Sequence, residues 1–217
     1  MNRLPDTAHT TRPWRIHEIA PDFRLEDVWE LPGRGGPDDF PRLVALIASF
    51  DPAQSPSRIA RGLWSLRWKV GALLGWDDPD GGLGSRVATV YDRLPADLVR
   101  RGRGPDFAAL PCTPLYVTND EFAAEVANTT VHAVMHVGVI EDEDGSLRAQ
   151  AAVLVKPNGR FGSLYMAAIK PLRHLIYPVL MKQGRELWDR QRGGDGSASD
   201  AEASQAEHED RQPVAAC

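Results

Sequence analysis

The feature that most constrains this chain is the run 130–140, TVHAVMHVGVI. Side chains alternate across a strand, so Val131, Ala133, Met135, Val137 and Val139 share one face and His132, Val134, His136 and Gly138 the other. The run enters an acidic stretch, Glu141-Asp142-Glu143-Asp144-Gly145, and re-emerges as 148–156, RAQAAVLVK. That pattern predicts an antiparallel hairpin whose apolar face lies against a helix. The four successive carboxylates repel one another and prefer water, so the turn is expected to be exposed. It lacks the spaced ligands and closing glutamate of an EF-hand loop, and no calcium binding is expected there.

Elsewhere the period changes along the chain. Residues 14–19 (WRIHEI) alternate and read as a short first strand ending at Ala20-Pro21. Within 38–50, Phe40, Leu43, Val44, Leu46, Ile47 and Phe50 recur at three-and-four spacing, which predicts an amphipathic helix. Residues 56–74 repeat the pattern through Ile59, Leu63, Leu66, Val70, Leu73 and Leu74, with Ser55 or Ser57 as cap. Residues 86–91 alternate again, 113–118 (TPLYVT) read as a short strand, and Asn128-Thr129-Thr130 as a turn. Residues 161–191 are strongly apolar and helical in pattern, with kinks expected at Pro171 and Pro178.

Composition excludes several classes of function. The chain has 217 residues, 42% of them apolar, which argues against general disorder. Its net charge of -5 resides in the tail 193–217, where six acids face Arg211. The body is therefore neutral, and a broad non-specific nucleic-acid footprint is excluded. Three parts are expected: a flexible N-terminus 1–13, one domain 14–192, and a disordered acidic tail 193–217. Residues 1–13 lack the apolar stretch of a signal peptide, which places the protein in the cytoplasm. Cys112 and Cys217 give no metal-binding spacing, and Cys112 reads as a packing residue. The glycine clusters at 33–36, 81–84 and 102–104 match neither a dinucleotide nor a phosphate-loop pattern, so no cofactor is expected.

A strand, two helices, a run of antiparallel strands and a long closing helix are not the alternation of a doubly wound sheet. The order resembles the START-like helix-grip superfamily (SRPBCC, polyketide-cyclase-like). Such a fold is α+β, with a curved antiparallel sheet wrapped around a long C-terminal helix. The closing residues Val155-Lys156-Pro157-Asn158-Gly159-Arg160-Phe161-Gly162-Ser163-Leu164-Tyr165 and Ile169-Lys170-Pro171-Leu172-Arg173-His174-Leu175-Ile176-Tyr177-Pro178 make the likeness more specific. They look like the signature of a domain-of-unknown-function family, fused elsewhere behind short-chain dehydrogenase-like domains and occurring alone in many actinobacteria. The resemblance implies a stand-alone member with a cavity between sheet and closing helix. It implies no dehydrogenase activity, because no dinucleotide fingerprint precedes the match.

Three groups of residues are candidates to meet a ligand in such a cavity. His132 and His136 lie roughly 13 Å apart along one strand, too far for one metal. They read either as solvent-side or satisfied histidines on the outer face, or as acid/base or ligand contacts. Tyr165, Lys170, Arg173, His174 and Tyr177 on the closing segment suit an anionic or carbonyl-bearing ligand, or form a solvated face. Trp64 and Trp68, interleaved with bases, suit core packing, a flat apolar ligand or a membrane interface. Lys170, Arg173 and His174 argue against a membrane span in the closing segment. The reading is a module that binds a small hydrophobic molecule. The alternative is a cofactor-free cyclase, aromatase or lyase acting on a polyketide-like or other apolar carbonyl substrate.

Overall fold

A computed structural model of the chain describes residues 2–35, 39–58, 61, 62, 64, 65, 69, 83, 87–141, 147–159, 162, 166, 177–180 and 182–190. It is an α+β fold with one six-stranded antiparallel sheet. The strands are β1 (Arg3–Leu4), β2 (Arg24–Gly35), β3 (Thr113–Val117), β4 (Glu121–Ala127), β5 (Val131–Glu141) and β6 (Leu147–Pro157), in the order β1-β2-β6-β5-β4-β3. Strands β3 to β6 follow one another as neighbours, and β2 closes onto β6 from the far end of the chain.

The hairpin expected from the period-two pattern is β5 and β6, paired without interruption from Val131↔Pro157 to Glu141↔Leu147. Strand β4 adds to β5 through the Asn128-Thr129-Thr130 turn. There Asn128 Oδ1 accepts from the Thr130 and Val131 amides and the Thr130 hydroxyl, at 2.7 to 3.0 Å. An Asx side chain mimics a backbone turn in this way, and it sets the register Glu121↔Gly138 through Ala127↔His132.

Both faces of the sheet are covered. On one, α3 (Asp39–Ser49) packs Phe40, Leu43, Val44 and Leu46 with Leu31, Phe122, Val137, Ala149, Ala151 and Trp188. Residues 177–180 and 182–190 are helical, and Leu187 joins Met135 and Val139 at the margin of this cluster. The apolar face of β5 therefore does meet helical residues from the end of the chain. The other face is covered by α1 (Thr7–Thr10), α2 (Arg15–Ile19), the 3-10 turn Val90–Arg93 and α4 (Ala96–Arg101). Trp14, Ile16, Ile19, Phe23, Val90, Leu94 and Leu98 pack there on Val28, Tyr116, Val134 and Leu154.

Three expectations are corrected. Residues 14–19 are not a strand: α2 occupies Arg15–Ile19, and the long strand ahead of α3 is β2, which follows β1, α1 and α2. In so short a segment Ile16, Ile19 and Ala20 also satisfy one helical turn, and burial against the sheet decides. Residues 90–93 form a 3-10 turn capped by the Thr89 hydroxyl, not the end of a strand. The histidine face of β5 is not an outer face: His132, Val134, His136 and Gly138 are all buried. The second expected helix is helical at the described residues 58, 61, 62, 64, 65 and 69. The acidic turn's residues 142–146, the tail and most of 160–176 lie outside the described residues.

Candidate functional site

Strands β4 and β5 carry the chemistry. The register puts Glu121, Ala123 and Glu125 on the same face as His132, Val134, His136 and Gly138. Each glutamate meets a histidine on the diagonal, a reach that long side chains make between neighbouring strands. His132 Nε2 lies 2.7 Å from Glu125 Oε2, and His136 Nε2 lies 3.1 Å from Glu121 Oε2.

The two pairs have different surroundings. Around the second, Tyr116 donates its hydroxyl to Glu121 Oε2 at 3.0 Å, and the Arg15 amide donates to both carboxylate oxygens at 3.0 and 3.1 Å. Burial alone would raise the Glu121 pKa, but these donors and His136 outweigh it and hold the carboxyl below its ordinary range. Glu121 thus stays ionised and can only accept, so His136 Nε2 carries the proton. Neutral His136 then accepts at Nδ1 from His9 Nε2–H, 3.0 Å away. Burial, opposed by Glu121, pushes the His136 pKa down. Burial and the neighbouring His136 and His17 lower His9 to about 3. His9 Nδ1 is buried without a partner among the described residues. The chain Glu121–His136–His9 is closed over by Trp14 and His17, whose rings stand 5.4 Å from His136 and 4.7 Å from His9. It ties the N-terminal segment to the sheet.

The His132 pair opens onto space. Glu125 accepts from the Thr89 hydroxyl and, at 2.9 Å, from the Val90 amide. Burial opposes ionisation of Glu125, but His132 and these two donors prevail and its pKa is lowered. His132 Nε2 is therefore held by an ionised partner, and Phe23 stands edge-on to the ring at 4.8 Å. The ring forms part of the wall of a cavity of about 340 Å³ with Val87, Ala88, Arg93, Thr129, Lys156, Asn158 and Gly159. At its mouth Asp22 bridges Arg93 Nη1 at 2.6 Å and Lys156 Nζ at 2.8 Å. Gly159 has φ +70°, a left-handed conformation suited to glycine, and so turns the chain out of β6. Three residues on, a side chain at Gly162 would run into the Thr130 carbonyl oxygen.

Of the residues singled out from the sequence, His132 lies in this cavity and His136 on the same face in the closed chain. Tyr177 packs its ring at 5.8 Å against Trp29, and Trp64 is half-buried. Tyr165, Lys170, Arg173, His174 and Trp68 lie outside the described residues. Cys112 is half-buried and burial pushes its thiol up to about 11, as suits a packing residue. Sequence reasoning missed Glu121, Glu125, Lys156 and Arg93. The available signal was that EFAAEVA precedes the Asn128 turn, and its two glutamates have the same four-residue spacing as the two histidines.

Among the described residues no group of histidine, cysteine and carboxylate side chains is arranged to hold a metal, and no helix is long and apolar enough to cross a membrane. No curated protein and no solved structure matches the chain. One protein family does, over residues 19–180, a span that takes in the four central strands, both glutamate–histidine pairs and the cavity wall. The chain belongs to that family, the proteins of unknown function DUF2867.

Proposed function

We propose that the protein binds a small molecule in the cavity beside His132, with an apolar body against Val87 and Ala88 and a polar group directed at the histidine. The carrying observation is the Glu125–His132 pair, which fixes the ring through Nε2 in the wall of the cavity. The volume lies at the small end of ligand pockets, and a few placed polar groups in an otherwise modest wall are typical of them. In this reading Arg173, His174, Tyr165 and Lys170 remain candidates for further ligand contacts on the closing segment. The finer fold reading goes with it: a helix-grip domain of the SRPBCC type, with a long C-terminal helix, in a stand-alone cytoplasmic relative of domains fused behind short-chain dehydrogenases. Its support is the element order after β1, α1 and α2: one long strand, helical segments, an antiparallel run and helical residues at the end.

The test is native mass spectrometry of protein purified from its own host, parent against His132→Gln. A small molecule carried by the parent and lost or depleted by about 10-fold or more in the variant supports the reading, since one hydrogen bond to a ligand is worth about that much. Equal loading of both would move the site away from His132.

The same pair favours a second reading, a cofactor-free enzyme acting on an apolar carbonyl compound. A histidine held by a carboxylate at one nitrogen is a competent general base at the other. With a substrate in hand, His132→Gln would then lower turnover by about 10² to 10⁴ with little change in binding.

A further inference from the structure

We infer that the ligand of the His132 cavity is a small carboxylic acid, its carboxylate held by the donors of Lys156 and Arg93 that Asp22 leaves unused. The inference rests on the cavity being a binding site. Among the described residues, those that line it include two cations and no acid. Asp22 is their partner from outside the lining, and both Lys156 Nζ and Arg93 Nη2 reach its Oδ2, at 2.8 and 3.3 Å. The two cations therefore stand no farther apart than two hydrogen-bond lengths, which is the span a carboxylate bridges. Arg93 and, against burial, Lys156 hold the Asp22 carboxyl well below its usual range, so this cluster, among the described residues, sets one negative charge against two positive ones.

Donors remain after Asp22 is served. A lysine ammonium has three N–H groups and a guanidinium five, and Asp22 takes three of these in all. Arg93 and Lys156 are each more than a third exposed at the side chain, so an incoming anion can reach them. Glu125 on the inner side is already engaged by His132, Thr89 and the Val90 amide. A surplus of one positive charge matches a monoanion better than a dianionic phosphate. The short apolar stretch at Val87 and Ala88 suits a single ring or short chain.

Three probes of one shape and different charge separate the possibilities: benzoate, benzamide and benzylamine, titrated into the full-length protein at low ionic strength. The readouts are the His132 ring resonances in NMR and the dissociation constant. Benzoate is expected to bind about 10-fold more tightly than benzamide, with benzylamine weakest, because charge-assisted hydrogen bonds are roughly twice as strong as neutral ones. Lys156→Gln should abolish the preference for benzoate while benzamide binds as before, and Lys156→Arg should retain it. Arg93→Gln, at an equally open position, is the second variant should the first fail to fold. Benzamide binding as well as benzoate, or a benzoate preference indifferent to both Gln variants, would overturn the carboxylate assignment and leave the cavity reading standing. Failure of all three probes to move the His132 resonances would overturn both.

Discussion

His9 and His136 make the protein acid-sensitive at a nameable place. In the unfolded chain His9 takes a proton near its ordinary pKa of 6.5, and in the folded one only near 3. Between those values the unfolded state binds more protons, so stability that is intact above pH 6.5 is lost steadily as the pH falls toward 3. The slope for this one site is about 1.4 kcal/mol per pH unit. His136 shifts in the same direction, and the lowered Glu121 and Glu125 add their own loss below the usual carboxylate range. His9→Gln keeps a donor toward His136 and should flatten the dependence by about one proton. Urea unfolding at several pH values measures this, and parallel curves for parent and variant would locate the proton elsewhere. Gly138 is the second sensitive residue. A Cβ there would stand 2.8 Å from the Trp14 ring, so Gly138→Val should cost at least about 1 to 3 kcal/mol and change the Trp14 environment seen in near-ultraviolet circular dichroism.

The N-terminal elements β1 and α1 behave as part of the fold although they are only two and four residues long. Arg3 and Leu4 pair with Trp29 and Val28, and His9 reaches His136 across most of the sequence. Deleting residues 1–10 removes the His9 bond to His136 and the pairing of β1 with β2, and is expected to cost about 1 kcal/mol or more. A denaturation midpoint unchanged by that deletion would show the segment to be an appendage. On the opposite face, α3 is held by an apolar stripe, and Leu43 is 4% exposed. Leu43→Ala should cost about 2 to 5 kcal/mol, read from the same experiment, with a value under about 1 expected only at a surface position.

For the whole molecule, the notable asymmetry is between the two faces of one sheet. The face under α3 is apolar, whereas the face under the N-terminal segment buries two ionised glutamates and three histidines with a pocket at one margin. Burying a polar group costs free energy that a hydrogen bond offsets, and the bonds to these glutamates and histidines tie β4, β5, residues 89–90 and the N-terminal segment together. The acidic tail carries six acids and one large apolar residue, Val214, a composition from which little contribution to a core is expected. Truncation after Arg192 is therefore expected to leave the melting temperature unchanged within error, and a drop of several degrees would show that the tail docks.

Local pattern by itself determined the parts in which one periodicity runs long enough to dominate. The β5–β6 hairpin and α3 are legible because each strand runs for eleven residues beside an acidic stretch and α3 keeps three-and-four spacing over eleven, long enough for one period to dominate. The Asn128 turn is legible because its side chain does the hydrogen bonding locally. Strand β2 escaped notice, since Pro32 and the acids Glu26, Asp27 and Glu30 break its pattern and a register shift between Glu30 and Arg34 absorbs the break. Strand β4 escaped because two glutamates look unsuited to burial until the histidines that partner them are placed opposite. Tertiary structure alone decided that α2 is a helix, that the histidine face points inward, and that Lys156, Arg93 and His132 meet around one cavity. The physical reason is common to all three. Each depends on contacts with residues far away in sequence, and neither periodicity nor spacing carries that information.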